Sequence, residues 1–129
     1  MSEGFGRRKK VLVIEDDEDM RASIVDILKV LGYDEVTAVA NGAGGVNALI
    51  GNPNGFPIAI VDIFLPDMTA KHMARQFPST HGIKTLILYS GGAGEDFAAV
   101  RAAFEKLGIP NVQSLKKPAT LEKFEKLLS

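Results

Sequence analysis

Residues 58–70 read IAIVDIFLPDMTA and set the architecture of the chain around them. Residues 58–63 are apolar apart from one acid, Asp62, and read as a strand buried on both faces. Pro66 forbids continuation as a paired central strand, so Asp62 sits near the strand's C-terminal end. A carboxylate at that place loses hydration, which penalises its charged form unless a partner compensates. Taken alone, an Asp capping the next turn is the ordinary reading. Three other strand ends, however, carry the residues that such an Asp would use.

Outward on the N-terminal side, residues 53–57 read as a loop and residues 41–50 as a weak helix. Gly42, Gly44 and Gly45 each lower its propensity by about 1 kcal/mol against Ala. Before it, residues 35–40 (EVTAVA) read as a strand. Met20, Ile24, Ile27, Leu28 and Leu31 recur at helical spacing and stop at Gly32. Residues 11–14 (VLVI) form a further buried strand, ending at the acidic run Glu15 to Asp19. Acids favour the positive end of the following helix, so part of that run is ordinary helix-entry chemistry.

On the C-terminal side, residues 68–77 read as a helix stopped by Pro78, and residues 84–90 (KTLILYS) as a strand followed by the small-residue loop 91–94. Phe97, Val100, Phe104 and Leu107 mark an amphipathic helix closed by Gly108. Residues 112–115 are a short strand. Pro118 opens the final segment, in which Leu121, Phe124 and Leu128 form an apolar stripe. This is a βαβαβαβαβα alternation, and parallel strands joined by crossovers put helices on both faces of one sheet.

The chain has 129 residues, 46% of them hydrophobic, which suits one domain with a core. A formal net charge of −1 gives no bulk attraction to nucleic acid or anionic membrane. The absence of cysteine removes disulfides and thiolate zinc sites and fits a reducing cytoplasm. No run approaches the about 18 apolar residues of a membrane span. A soluble cytoplasmic protein is expected, with residues 1–9 a flexible basic tail and residues 10–129 the domain.

In open parallel sheets ligands bind beyond the carboxyl ends of the strands. Those ends carry Glu15 and Asp16, Asp62, Ser90 and Lys117. Each has a duller explanation: helix-entry acids, a turn-forming Ser beside Gly91, a solvated Lys116–Lys117 pair. Together they put three carboxylates, a hydroxyl and an ammonium at one small site. Oxygen-only ligands without His or Cys suit a hard divalent ion, Mg²⁺ above all.

From VLVIEDDEDMR through VDIFLP and LYSGG to LKKP, over residues 10–128, the chain resembles the response-regulator receiver domain of two-component signalling. The resemblance implies a flavodoxin-like, doubly wound five-stranded (βα)5 fold with strand order 2-1-3-4-5. It implies that Asp62 accepts a phosphoryl group from a sensor histidine kinase or histidine phosphotransfer protein, as an acyl phosphate. Mg²⁺ would be held by Glu15, Asp16, Asp62 and the Phe64 backbone carbonyl. Lys117 would pair with a phosphoryl oxygen, with Ser90 and the Gly91 backbone beside it, and the Lys117–Pro118 bond is cis in relatives. The domain is then a signalling phosphoacceptor, not an enzyme acting on a separate substrate, and its readout is a downstream protein, met by family analogy on the exposed side of the last two helices. No direct nucleic-acid binding or membrane insertion is expected.

The chain departs from the pattern at several positions. Ala70 stands where a Gly is usual, so a different turn is expected there. Ser114 replaces the aromatic that usually reports phosphorylation, and Tyr89, next to Ser90, faces the other way. The signal is therefore expected to leave through the loop 91–94 and the helix after it. Phe64 and Gly92, at the positions that tune hydrolysis, cannot orient a water, which implies a long-lived acyl phosphate. A phosphorylation-independent pseudo-receiver is the alternative. An Asp phosphatase would want an acid at position 64, and a flavodoxin would want no acids after the first strand. His72 and His81 read as surface residues.

Overall fold

In the computed structural model, residues 10–90 and 97–128 are described. The elements alternate as β1 (Lys10–Ile14), α1 (Glu18–Val30), β2 (Glu35–Val39), α2 (Gly42–Ile50), β3 (Ile58–Asp62), α3 (Ala70–Gln76), β4 (Thr85–Ser90), α4 (Phe97–Glu105), β5 (Asn111–Lys116) and α5 (Leu121–Leu128). All strand pairs are parallel, in the order β2-β1-β3-β4-β5. The tail 1–9 and the loop 91–94, to which the sequence assigns signal output, lie outside the described residues.

Strict alternation divides the core in two. Leu12, Ile14, Ala59, Val61, Leu86 and Leu88 face α2, α3 and α4, where Leu49, Met73 and Phe104 meet them. Val11, Val13, Ile60, Ile87 and Tyr89 face the other way, onto Ile24, Leu28 and Phe124 of α1 and α5. The three central strands are thus buried on both faces, and this is why they read as continuous apolar runs. The edge strands β2 and β5 are partly exposed and correspondingly more polar.

Helix starts follow the caps. Asp17 accepts from the Met20 N–H at 3.0 Å and Asn41 from the Gly44 N–H at 2.8 Å. Thr69 accepts from the His72 N–H at 3.1 Å, so α3 begins at Ala70 and not at residue 68. It also ends earlier than expected, because Phe77 precedes Pro78 and takes the extended conformation, ψ 133°. Thr120 accepts from the Lys123 N–H at 3.2 Å, which starts α5 at Leu121, three residues after Pro118. Leu121 itself is exposed. The apolar stripe of α5 is Phe124 with the partly buried Leu127 and Leu128.

Packing gives one sequence expectation a reason and corrects another. The glycines of α2 do lower helix propensity, but they let the helix close on its neighbours. A Cβ on Gly45 would stand 2.2 Å from Ile14 Cδ1, and one on Gly42 would stand 2.6 Å from Met68 Cγ. His81 is not a surface residue but is buried. Its Nδ1 accepts from the Ile83 N–H at 2.8 Å, which leaves Nε2 to carry the proton and donate to the Leu107 carbonyl, 3.0 Å away. That carbonyl lies just past α4, where helical partners run out, so the imidazole satisfies two buried main-chain groups. His72 is exposed, as read from the sequence.

Gly45→Ala should destabilise the fold by about 1–2 kcal/mol in urea unfolding, because overpacking against Ile14 exceeds the gain in helix propensity. His81→Leu should lower stability by about 2 kcal/mol or more, since the Ile83 N–H and Leu107 C=O lose their partner together.

Candidate functional site

The sheet register builds the site. Ile14 lies opposite Val61, so the residues that follow them, Glu15 and Asp62, emerge side by side. The Glu15 N–H continues the ladder to the Val39 carbonyl at 3.0 Å, and the Ile63 N–H does so to Tyr89 at 3.2 Å. Lys117 follows β5, with its N–H on the Ser90 carbonyl at 2.8 Å. From there its side chain spans β4, passing the Tyr89 ring with Nζ 4.8 Å from the centroid, and reaches β3.

Lys117 Nζ donates to Asp62 Oδ2 at 3.1 Å and stands 3.4 Å from Glu15 Oε1. Asp62 Oδ1 accepts from the Phe64 N–H at 2.9 Å, and Glu15 Oε2 accepts from the Asp17 N–H at 3.1 Å. Asp62 is 2% exposed and Glu15 1%, while Asp16 is on the exposed rim. Oxygens of Glu15, Asp16 and Asp62 all lie within 4.8 Å of one another.

Two buried carboxylates share one ammonium, and the imbalance shows in the acidity of Glu15. Burial, reinforced by the neighbouring Asp62, pushes the Glu15 carboxyl up to about 7, against the opposing pull of the Asp17 N–H and Lys117. Burial pulls the Lys117 ammonium down, but Asp62 and Glu15 more than offset it, so its pKa is raised. Glu15 Oε1 is fully buried and has no hydrogen bond among the described residues. An oxygen-only cluster with one buried acceptor still unsatisfied fits a hard divalent cation.

The structure brings Glu15, Asp16, Asp62 and Lys117 together as the sequence anticipated. Phe64 contributes its N–H to Asp62, while its side chain is 51% exposed. Ser90 is buried at the end of β4, between the strands that carry Asp62 and Lys117. Gly91 lies outside the described residues. Ala70 is the first residue of α3, and no non-glycine among the described residues has a positive φ. The Lys117–Pro118 bond is cis. Ser114 is exposed and borders a cavity of about 180 Å³ with Leu88, Phe97 and Arg101. Tyr89 points to the opposite face, fully buried, its hydroxyl oxygen accepting from the Ala119 N–H at 3.3 Å.

Two supporting residues were missed in the sequence. Arg21 donates through Nη1 to the Glu15 carbonyl at 2.9 Å and the Asp16 carbonyl at 3.4 Å, fixing the β1–α1 loop. A cation in the first turns of a helix opposes the dipole, and that was the available signal. Asp67 accepts from the Gly42 and Ala43 N–H groups, both at 2.9 Å, clamping the loop after Asp62 onto the start of α2. These two bonds hold its carboxyl below the usual range. Nothing in local spacing foretells a bond across 24 or 25 residues.

A family model described as Response regulator receiver domain matches residues 11–129. The chain is 38% identical over 68 residues to the Response regulator receiver protein CpdR of Brucella abortus, covering 53% of this chain and 54% of that one. It is 31% identical over 119 residues to the Probable chemotaxis protein CheY of Rhizobium etli, covering 90% of this chain and 86% of the relative. The matched region thus spans about half the length of the Brucella relative. In three dimensions the chain is similar to the chemotaxis response regulator CheY4 of Vibrio cholerae, with a TM-score of 0.75 at 21% identity over 95% of this chain and 97% of that one. That likeness is one of fold. With the profile match over nearly its whole length, the chain belongs to the response-regulator receiver domain family of two-component systems.

Proposed function

We propose that the domain is a phosphoacceptor in which Asp62 takes a phosphoryl group from a sensor histidine kinase or a histidine phosphotransfer protein. The observation that carries this reading is the convergence of Glu15, Asp16 and Asp62 within 4.8 Å, with Lys117 Nζ 3.1 Å from Asp62. An Asp62 oxygen attacks the donor's phosphorus, a carboxylate O–P bond forms, and the bond from phosphorus to the donor nitrogen breaks. Such a transfer needs positioning and charge neutralisation more than covalent help from the protein. The Phe64 N–H on Oδ1 orients the carboxylate. Lys117, already within reach of Oδ2, is placed to pair with the incoming phosphoryl oxygens. Glu15, Asp16, Asp62 and the Phe64 carbonyl would hold Mg²⁺, which when bound neutralises charge on the carboxylates and the phosphoryl group. Ser90, buried at the end of β4, would add a contact to the phosphoryl group, as the family resemblance implies for the Gly91 backbone, and the phosphorylated state would switch binding to a downstream protein.

The apolar, half-exposed Phe64 offers no group to orient a hydrolytic water, which supports a long-lived acyl phosphate. One observation favours a second reading, a pseudo-receiver that works by binding alone. At Ser114 the chain presents an exposed hydroxyl beside an unfilled cavity instead of an aromatic that could report phosphorylation.

Incubation with a small-molecule phosphodonor and Mg²⁺, followed by intact-mass measurement, separates the two. A single phosphoryl adduct that needs Mg²⁺, is absent in Asp62→Asn and outlasts a chase of several seconds is expected. A folded wild-type chain that stays unmodified would select the binding-only reading. The Glu15 pKa gives an independent check. Because its folded value, about 7, lies above the ordinary 4.5, the folded state holds a proton that the unfolded state has released between those pH values. In metal-free buffer wild type should therefore lose stability relative to Glu15→Gln as pH rises from 4.5 to 7, and level off above. Added Mg²⁺ should stabilise wild type more at pH 8 than at pH 5, since the ion competes with the Glu15 proton.

A further inference from the structure

A second feature lies away from the strand ends. Between α3 and α4 runs an open groove of about 460 Å³. Its floor is small and apolar, with Ala74 from α3 and Ala99 and Ala102 from α4. Lys71 and Arg75, one helical turn apart on α3, stand on one wall, and Lys106, just past the end of α4, stands on the other. All three are exposed, and among the described residues none of them forms an ion pair. Arg101 and Glu105 pair with each other at 3.7 Å, so the nearby acid of α4 is already engaged.

We propose that this groove docks an acidic, amphipathic helical segment of a partner protein. Charge complementarity carries the choice of occupant. The chain as a whole has a formal net charge of −1, so three unpaired cations around one groove are a local concentration and not a general basicity. Like charges held near one another are unfavourable until an anionic surface meets them. The floor supplies what a free anion would not use. Alanines keep the helix backbones accessible, so the apolar face of a third helix can approach closely and bury against them. The lining has no aromatic side chain on which a nucleotide base could stack, which points away from nucleic acid. The groove contains none of Glu15, Asp16, Asp62, Ser90 and Lys117, and its occupancy is separate from phosphoryl uptake.

The test uses the full ¹⁵N-labelled chain and two synthetic helical peptides, each with a leucine face, one flanked by glutamates and the other by lysines. The acidic peptide should shift the amides of Ala74, Ala99 and Ala102 and bind less tightly as salt is raised. The double variant Lys71→Glu, Arg75→Glu should weaken it about tenfold or more. Ala102→Phe, at an exposed position that leaves the core intact, should block it by filling the floor. Both variants should take up phosphoryl groups as wild type does, so failure here and failure of the phosphoacceptor reading show separately. Equal binding of the two peptides, shifts that map elsewhere, or no shift at millimolar peptide would overturn the proposal. So would concentration-dependent self-association abolished by Lys71→Glu, Arg75→Glu, because the occupant would then be a second copy of this chain.

Discussion

The Lys117–Asp62 ion pair is the contact on which the site depends. Burying two carboxylates at neighbouring strand ends is unfavourable, and their mutual repulsion adds to the loss of hydration. One ammonium at 3.1 and 3.4 Å offsets part of that cost, but it leaves Glu15 Oε1 without a hydrogen bond and its pKa raised. Burial of a pair of this kind is poor evidence of added stability in itself. Under the proposed function its place at the strand ends makes sense as a site short of positive charge, to which a cation and a phosphoryl group would be brought.

Topology makes the pair possible. Lys117 follows an edge strand and can reach β3 only because β4 lies between them with Tyr89 as a platform for the ammonium. The same alternation that aims Tyr89 at α5 takes it away from Ser114, so the molecule has an aromatic touching Lys117 but none on the α4 face of β5. Meanwhile Phe64, Thr69 and Asp67 tie the loop after Asp62 back on itself and onto α2, through the Phe64–Thr69 bridge and the two Asp67 bonds. A rearrangement at Asp62 that withdraws its oxygen from the Phe64 N–H would therefore be felt first in this loop.

What the chain reveals before folding follows from how each feature is encoded. The central strands are covered on both faces, so their apolar runs are continuous and unmistakable, and the polar residue ending each run, Glu15, Asp62 or Ser90, marks the site. Boundaries set by caps were less visible: Thr69 starts α3 later than residue 68, and Thr120 starts α5 at Leu121, three residues after the Pro118 that opens the segment. The role of the α2 glycines and the burial of His81 were hidden for a different reason. Both depend on partners distant in sequence, Ile14 and Met68 for the first and Leu107 for the second, and no local period reports such contacts. Arg21 was legible in principle, as a cation where a helix start disfavours one.

The most direct measurement is a crystal structure of the chain grown with Mg²⁺ and beryllium fluoride, a stable mimic of an acyl phosphate. Beryllium bonded to an Asp62 oxygen, Mg²⁺ among Glu15, Asp16 and Asp62, and Lys117 Nζ moved onto a fluoride would confirm that the buried pair is a waiting phosphoacceptor. An Asp62 still paired with Lys117, with no ion among the three acids at saturating Mg²⁺ and fluoride, would contradict it.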